Sequence, residues 1–454
     1  MQFKKMFKVV FVDFMALLVG IINGFLLPKF LDIESYAYIK TFLLYVGYSG
    51  VFHFGFSDGM YILLGGKNIN DVKKEKIKGY LITLIKIIII VSIILIFINI
   101  FMIKKLIFTF FIIYTIPFQI TLFASLLYRA TGEFDKYIII RSTINLFSLI
   151  STLVTIFILP NPIIYILIQT MGYIFIAFVY LISIFSQKIK SEKIQINEIK
   201  LLINTGFIIM IANTVNNLFL SLDRLVIKVK FSVTDFAYYS FGVSMLSLFT
   251  TLISSVTVIF YPYLAKSNGD RKMVENIKNY IIIICSFAPT GYFILELIVK
   301  IFIDKYINSL DILGILILTI PFMTVINVVY SNLYKVENRG KEYLIVAIKI
   351  LIVALSLNIL TIFLKGTCIN IAYATLLSLI IWYVYSSRHF LGLKIKYKEV
   401  VYLFIYIISY IIIREININP LLKAIIFSFI IFINILTFYN SDVKELIKLI
   451  IKKE

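Results

Sequence analysis

The sequence has little charge and few of the side chains from which soluble enzymes build catalytic or metal sites. Only 15% of its 454 residues are charged, and it contains two cysteines and two histidines. Cys285 and Cys368 lie in apolar runs, and His53 and His389 are far apart, so neither a disulfide nor a metal site is expected. A GxxxxGKS/T phosphate-binding loop and an HExxH motif are both absent from the sequence. The first absence excludes ATP hydrolysis by that route, and we expect no cofactor.

Long apolar runs are the dominant feature of the sequence. Hydrophobic residues make up 61% of the chain and the mean hydropathy is +0.99, whereas a soluble domain is about 45–50% apolar. A membrane-spanning helix needs about 20 mostly apolar residues. The sequence therefore predicts an all-α integral membrane protein. Its net charge of +20 is then explained by lysines that hold loops on the cytoplasmic side, and we expect no nucleic-acid partner.

Charged residues divide the chain into fourteen predicted transmembrane helices. The basic, then apolar N-terminus predicts a retained first span and not a cleaved signal peptide. With the N-terminus placed inside, most of the 44 lysine and arginine residues fall in inner segments, which favours two cytoplasmic termini. The predicted spans are 8–28, 36–57, 79–102, 106–128, 137–159, 162–186, 201–222, 236–262, 279–302, 312–334, 343–364, 368–387, 399–414 and 419–440.

An internal repeat relates the two halves of the chain. LDIESYAY (31–38) resembles FSVTDFAY (231–238), and SLLYRATGEFDKY (125–137) resembles SNLYKVENRGKEY (331–343). Six spans separate the copies, so the halves would be parallel six-helix repeats related by a pseudo-two-fold axis along the membrane normal. The predicted division is an N-terminal six-helix lobe (1–190), a C-terminal six-helix lobe (191–392), and two additional helices with a basic cytoplasmic tail (393–454).

Four segments carry a resemblance to a known family: 28–40, 54–67, 127–137 and 221–266, the last beginning SLDRLVIKVK and ending YPYLAK. They resemble the polysaccharide (O-antigen type) flippases of the multidrug/oligosaccharidyl-lipid/polysaccharide exporter superfamily. One departure is that Ala37 and Ala237 stand where relatives favour glycine. The resemblance implies a transporter, not an enzyme. It would move undecaprenyl-pyrophosphate-linked oligosaccharide repeat units across the bacterial inner membrane by alternating access, for surface polysaccharide biosynthesis.

Two other functions remain open at this point. A drug or lipid exporter of the same superfamily would share the fold. A membrane polysaccharide polymerase would need a sizeable outer loop with catalytic groups, and the longest predicted loop (about 58–78) is cytoplasmic. The resemblance also implies partners, namely the lipid-linked oligosaccharide, membrane lipid, and candidate polysaccharide polymerases and glycosyltransferases.

Polar residues inside the predicted spans are the candidates for a substrate cavity, because a charge at the bilayer centre costs about 2.5–3.5 kcal/mol. Asp13 and Asn213 stand at equivalent positions of the repeat, as do Asn23 and Asp223. The alternative is a polar contact between helices, or a pair between Asp13 and a nearby lysine. The predicted cavity and substrate-binding residues are Asp13, Asn23, Tyr38, Asn213, Asn216, Asn217, Asp223, Arg224 and Tyr238.

Cationic residues near the membrane surfaces are candidates for binding the pyrophosphate. Arg129, Arg141 and Lys335 could recruit it at the cytoplasmic side, although the positive-inside rule also accounts for them. Arg224 could bind it bidentately during release, or could form an interfacial ion pair that anchors its helix.

Two carboxylates are candidates for coupling transport to an ion. Asp13 lies shortly inside the first predicted span, and Glu296 lies about two turns from the outer end of the ninth. The alternative for Glu296 is an ion pair with Lys300, one helical turn further on.

Overall fold

The computed structural model describes residues 2–187, 189–257, 271–337, 339–390 and 392–451, and these residues form α-helices with short connections. The helices are α1 (Gln2–Phe30), α2 (Ile33–Val46), α3 (Phe56–Leu64), α4 (Lys74–Ile98), α5 (Leu106–Ala130), α6 (Phe134–Phe157), α7 (Pro162–Phe185), α8 (Ile196–Lys230), α9 (Val233–Thr257), α10 (Arg271–Cys285), α11 (Ala288–Phe302), α12 (Ser309–Leu316), α13 (Ile320–Val325), α14 (Ser331–Val336), α15 (Gly340–Phe363), α16 (Cys368–His389), α17 (Tyr397–Glu415) and α18 (Pro420–Ile451).

Twelve helical segments of the described chain are long and apolar enough to cross a membrane. They correspond to all of the predicted spans except the second and the thirteenth. The thirteenth, 399–414, lies in α17, a 19-residue helix with charged residues at both ends. A topology of fourteen crossings therefore remains a prediction.

The second predicted span, 36–57, is not one continuous helix, and the prediction needs correction here. It consists of α2, a 3-10 turn at Ser49–Val51 and the start of α3. Phe54 and Gly55 have positive φ angles of 50° and 84°, which no α-helix allows. The reason lies in the segment's glycines, since each costs about 1 kcal/mol in a helix interior and readily adopts the left-handed conformation.

The sequence repeat marks the same local structure in both halves of the chain, the start of a helix. At α2, Asp32 accepts hydrogen bonds from the Ser35 backbone N–H (2.7 Å) and hydroxyl (2.8 Å). Burial alone would raise the pKa of Asp32, but the hydrogen bonds from Ser35 lower it below its ordinary value. At α9, the Ser232 hydroxyl accepts the Asp235 N–H at 3.0 Å and donates to Asp235 Oδ2 at 2.7 Å. Both motifs satisfy otherwise unpaired N–H groups of a helix start.

Contacts divide the chain into two compact units, Met1–Ser221 and Leu222–Glu454. The division falls within α8, after the predicted lobe boundary at residue 190, and the lobes themselves remain a prediction. In the first unit α5 is central, because it packs against α2, α3, α4 and α7. Buried side chains of α3, α4 and α5, including Phe56, Leu84 and Phe123, form the core.

Glycines bring α3 and the first half of α8 into direct backbone contact. A Cβ atom on Gly59 would lie 1.9 Å from the Leu202 carbonyl oxygen, and one on Gly206 would lie 1.9 Å from the Gly55 oxygen. No side chain fits at such separations. This contact fixes α3, and with it the end of the broken segment, against α8.

In the second unit, α17 and α18 are tied to the other helices by buried polar contacts. Lys278 of α10 forms an ion pair with Glu399 of α17 at 2.6 Å, and both side chains are almost fully buried. Asn279 donates to Asp442 of α18 at 2.7 Å. Arg414 of α17 pairs with Asp311 of α12 at 2.5 Å. The two helices predicted as additions after residue 392 are therefore packed into this unit.

Candidate functional site

A polar cavity of about 360 Å³ lies in the first unit, between the α2–α3 break, α5 and α8. Its polar wall includes Tyr48, His53, Asp58, Asn213, Asn216 and Asn217. Non-helical backbone at membrane depth is tolerated where it is buried in protein or lines a cavity, and broken helices form substrate sites in transporters. The position of the break beside the cavity fits both rules.

The α8 side of the cavity is formed by the predicted asparagines. Asn216 and Asn217 follow Asn213 by three and four residues, so both lie on the same face of the helix as Asn213. All three line the cavity, together with Thr214. Each amide carries two N–H donors and an oxygen acceptor, so this face can bind groups that both donate and accept hydrogen bonds.

The opposite side holds a buried histidine and a carboxylate that the predicted site does not include. His53 Nε2 lies 3.7 Å from Asp58 Oδ2, and the Gly55 N–H donates to His53 Nδ1 at 3.0 Å. Gln119 of α5 donates a hydrogen bond to the Ser49 carbonyl oxygen at 2.6 Å, and so pairs a backbone acceptor at the break between α2 and α3. The signal available in the sequence was the group of glycines around these polar residues, which marks a break in the helix.

An apolar cleft of about 400 Å³ adjoins the polar cavity. It lies between the break, α4 and α8, and its wall includes Phe54, Ile94 and Phe207. These three side chains are also partly exposed on the surface of the protein. Val51 and Met210 line both the cleft and the polar cavity. A polar and an apolar compartment thus share one wall.

The predicted residues of α1 lie against α6 and do not line this cavity. Asp13 is exposed, and Arg141 Nε lies 3.9 Å from its carboxylate, so the structure brings two candidates from different predicted groups together. Asn23 donates to the Ser148 hydroxyl at 2.9 Å and accepts from Thr152 at 2.6 Å. For Asn23 these bonds are the polar contact between helices that the sequence left open as the alternative.

The second unit contains the next group of predicted residues. Asp223 is buried and accepts hydrogen bonds from the Tyr239 hydroxyl and the Arg224 backbone N–H, each at 2.7 Å. Arg224 is half-buried beside it. Tyr238 is half-buried, and its ring meets that of Tyr306 edge-on with centroids 5.8 Å apart.

Glu296 of α11 is buried, and its carboxylate accepts a hydrogen bond from Lys300 at 2.6 Å. The structure therefore contains the ion pair with Lys300 that the sequence left open as the alternative for Glu296. Ion coupling by Glu296 remains a prediction.

Three predicted residues remain, two in the first unit and one in the second. Tyr38 is half-buried on α2. Arg129 is exposed at the C-terminal end of α5, where its guanidinium group lies 5.7 Å from the Tyr61 ring and 5.6 Å from the Tyr137 ring. The side chain of Lys335 lies outside the described part of the chain.

Within the described ranges, no group of three or more histidine, cysteine, aspartate or glutamate side chains could hold a metal ion. The side chains in and around the cavity are suited to hydrogen bonding, and the cleft is suited to apolar contact.

Residues 77–303 match a family described as polysaccharide biosynthesis protein. The chain belongs to this family. No protein of curated function matches the sequence.

Two of the solved structures that match this chain illustrate the shared fold. One, described as lipid II flippase MurJ in an inward closed conformation, matches with a TM-score of 0.73 and 18% identity, over 96% of this chain and 99% of that chain. The other is an inward-facing multidrug resistance MATE family transporter of the MOP superfamily, with a TM-score of 0.50 and 14% identity, over 83% of this chain and 95% of that chain. The chain is therefore a multi-pass, all-helical membrane protein, and the resemblance predicted from the sequence is confirmed.

Proposed function

We propose that the protein is a flippase that moves undecaprenyl-pyrophosphate-linked oligosaccharide repeat units across the bacterial inner membrane by alternating access, for surface polysaccharide biosynthesis. The observation that carries the proposal is the polar cavity beside an apolar cleft, with Val51 and Met210 in the wall of both. Membership of the polysaccharide biosynthesis family supports the process in which it acts.

The two compartments fit the two ends of an amphiphile. In the cavity, the amides of Asn213, Asn216 and Asn217 offer donors and acceptors to sugar hydroxyls. In the cleft, the aromatic and aliphatic side chains offer the polyprenyl chain an apolar surface that resembles the lipid it leaves, so the chain can occupy the cleft without a desolvation cost. A substrate with a sugar head and a prenyl tail uses both compartments at once.

The pyrophosphate needs cationic side chains, and the candidate cations differ in the residues that surround them. Arg141 already lies beside the Asp13 carboxylate, whereas Arg129 is exposed and lies over two tyrosine rings. We therefore assign recruitment at the cytoplasmic side first to Arg129. Arg224 and Lys335 remain candidates for later contacts with the same group.

The transport cycle we propose uses two parallel six-helix lobes, fourteen crossings and two cytoplasmic termini. Asp13 and Glu296 are the candidates for ion coupling, and each has a cationic neighbour, Arg141 or Lys300. An ion that binds either carboxylate would compete with that neighbour. Glycosyltransferases that build the repeat unit and a polymerase that consumes it are the proposed partners.

Mass spectrometry of undecaprenyl-linked sugars, in cells with and without the gene, tests the function. We expect complete repeat units to accumulate on the lipid while surface polysaccharide disappears. Asn213→Leu should cause the same accumulation at normal protein abundance, because it removes an amide from the cavity wall. Asn68→Leu, at an exposed loop position of the same unit, is the matched control.

Other outcomes would assign the protein differently. Persistence of exported single units with loss of polymer would indicate a polymerase. Unchanged lipid-linked sugars and unchanged surface polysaccharide would contradict the proposal and favour a drug or lipid exporter.

A further inference from the structure

The charges in the wall of the polar cavity are unbalanced. Asp58 is the one carboxylate that lines it, and no lysine or arginine lines it among the residues that the structure describes. A site built for an acidic group would need cations there. The charge state of His53 therefore decides the net charge of the cavity.

The hydrogen bond that the His53 ring accepts identifies a neutral imidazole. Its Nδ1 accepts the Gly55 N–H at 3.0 Å, and a ring nitrogen that accepts a hydrogen bond carries no proton of its own. The proton then resides on Nε2, which faces Asp58 Oδ2 at 3.7 Å. A neutral ring offers a dipole to the carboxylate but no compensating charge, so the cavity carries the negative charge of Asp58.

The rest of the polar wall is uncharged. Asn213 and Asn217 are exposed and Asn216 is half-buried on the α8 face, and these amides accept and donate equally well. The cavity of about 360 Å³ is within the range of about 300–1,000 Å³ that small-molecule sites occupy. This volume can hold a sugar, and the negative charge of Asp58 acts on any charged group that the sugar carries.

We propose that this cavity selects uncharged or amino-bearing sugars and excludes sugars that carry a carboxylate. The inference rests on the proposed function and names the substrate class of the same site. A sugar hydroxyl can form hydrogen bonds with the asparagine amides, and the ammonium group of an amino sugar is also attracted to the Asp58 carboxylate. A uronic acid carboxylate would be brought close to the Asp58 carboxylate, and the two like charges would repel each other.

Binding of three synthetic ligands to the full-length protein in lipid nanodiscs tests the selection. The ligands are farnesyl pyrophosphates linked to glucose, glucosamine or glucuronic acid, which share the tail and the pyrophosphate and differ in sugar charge. We expect the glucose and glucosamine ligands to bind tighter than the glucuronate ligand by about tenfold or more.

Variants of two cavity positions should change the preference in a defined direction. Asp58→Asn should reduce the difference between glucosamine and glucuronate ligands to less than about threefold, since no charge remains to discriminate. Asn213→Lys should favour the glucuronate ligand, and it tests the charge rule even if Asp58→Asn fails to fold. Asp71→Asn removes an exposed carboxylate outside the cavity and should keep the wild-type preference.

Equal binding of the three ligands to the wild type would overturn the charge selection and leave the proposed function standing. An unchanged preference in both Asp58→Asn and Asn213→Lys would also overturn it. If none of the three ligands binds, the proposed function fails together with this inference.

Discussion

Breaking the buried ion pair between Lys278 and Glu399 should loosen the attachment of α17 to α10. The two side chains are 2% and 4% exposed, and their charged atoms are 2.6 Å apart. The Tyr383 hydroxyl also donates to Glu399. Lys278→Met therefore leaves a carboxylate buried with one neutral donor and no counter-charge.

The expected cost follows from the burial of the pair. Removing one partner of a buried ion pair destabilises by about 3–5 kcal/mol, because the remaining charge keeps its desolvation penalty. A second change, Glu399→Gln, removes that charge and keeps an acceptor for Tyr383. The double variant should therefore recover more than half of the loss.

Labelling of Cys285 with a maleimide reports the opening of this region, because the thiol lies buried on α10. In a Cys368→Ser background, Lys278→Met should raise the labelling rate by about 100- to 4,000-fold, since each 1.4 kcal/mol changes an opening equilibrium about tenfold. Lys396→Met is the matched control. It breaks the more exposed pair between Lys396 and Glu275, which joins α10 to the residue just before α17 and contributes about 0–1 kcal/mol.

Two results would refute the reasoning. Labelling of Cys285 in Lys278→Met that is no faster than in Lys396→Met would mean that the buried pair does not hold α17. A double variant as labile as the single variant would mean that the stranded charge is not the cause.

Three further changes have expected outcomes. Gly59→Val should abolish stable, monodisperse protein in detergent, because even a Cβ atom at this position would lie 1.9 Å from the Leu202 oxygen. Gly20→Ala is the control and should leave the protein yield unchanged, because its Cβ atom would meet no atom within 4 Å. Asp32→Ala should lower the free energy of unfolding, measured with denaturant at neutral pH, by about 1 kcal/mol. Because the pKa of Asp32 is lowered in the folded protein, this difference in unfolding free energy should vanish as the pH falls through the folded-state pKa. A difference that stays constant with pH would exclude capping by the carboxylate. Arg129→Gln should lower export in the mass-spectrometric assay at normal protein abundance. Arg129→Lys should retain part of the export, since lysine keeps the charge but not the planar group that lies over the tyrosines. Full export by Arg129→Gln would show that Arg129 does not recruit the pyrophosphate.

The sequence predicts the helices well, because hydropathy and charge are local properties of a segment. Twelve predicted spans correspond to long apolar helices. The repeat at 31–38 and 231–238 predicts equivalent segments, and the structure places a capped helix start in each. Side chains three residues apart make these caps, so the sequence alone contains both partners.

The break between α2 and α3 was within reach of the sequence but is hard to recognise there. Gly47, Gly50, Gly55 and Gly59 all fall within a stretch of apolar residues. Hydropathy does not distinguish a glycine-rich span from a broken one. The backbone of this segment touches Gly206 on α8, and this close contact explains why the segment contains glycines and not larger residues.

The sequence by itself determined that this chain is an all-helical membrane protein of the polysaccharide biosynthesis family, because apolar runs and motif segments do not depend on folding. Only the tertiary structure decided which polar side chains meet. Asp13 lies beside Arg141, Lys278 is buried with Glu399, and both pairs join helices more than a hundred residues apart in sequence. Such pairs depend on how each helix is rotated against its neighbour, and helix periodicity alone leaves that rotation free.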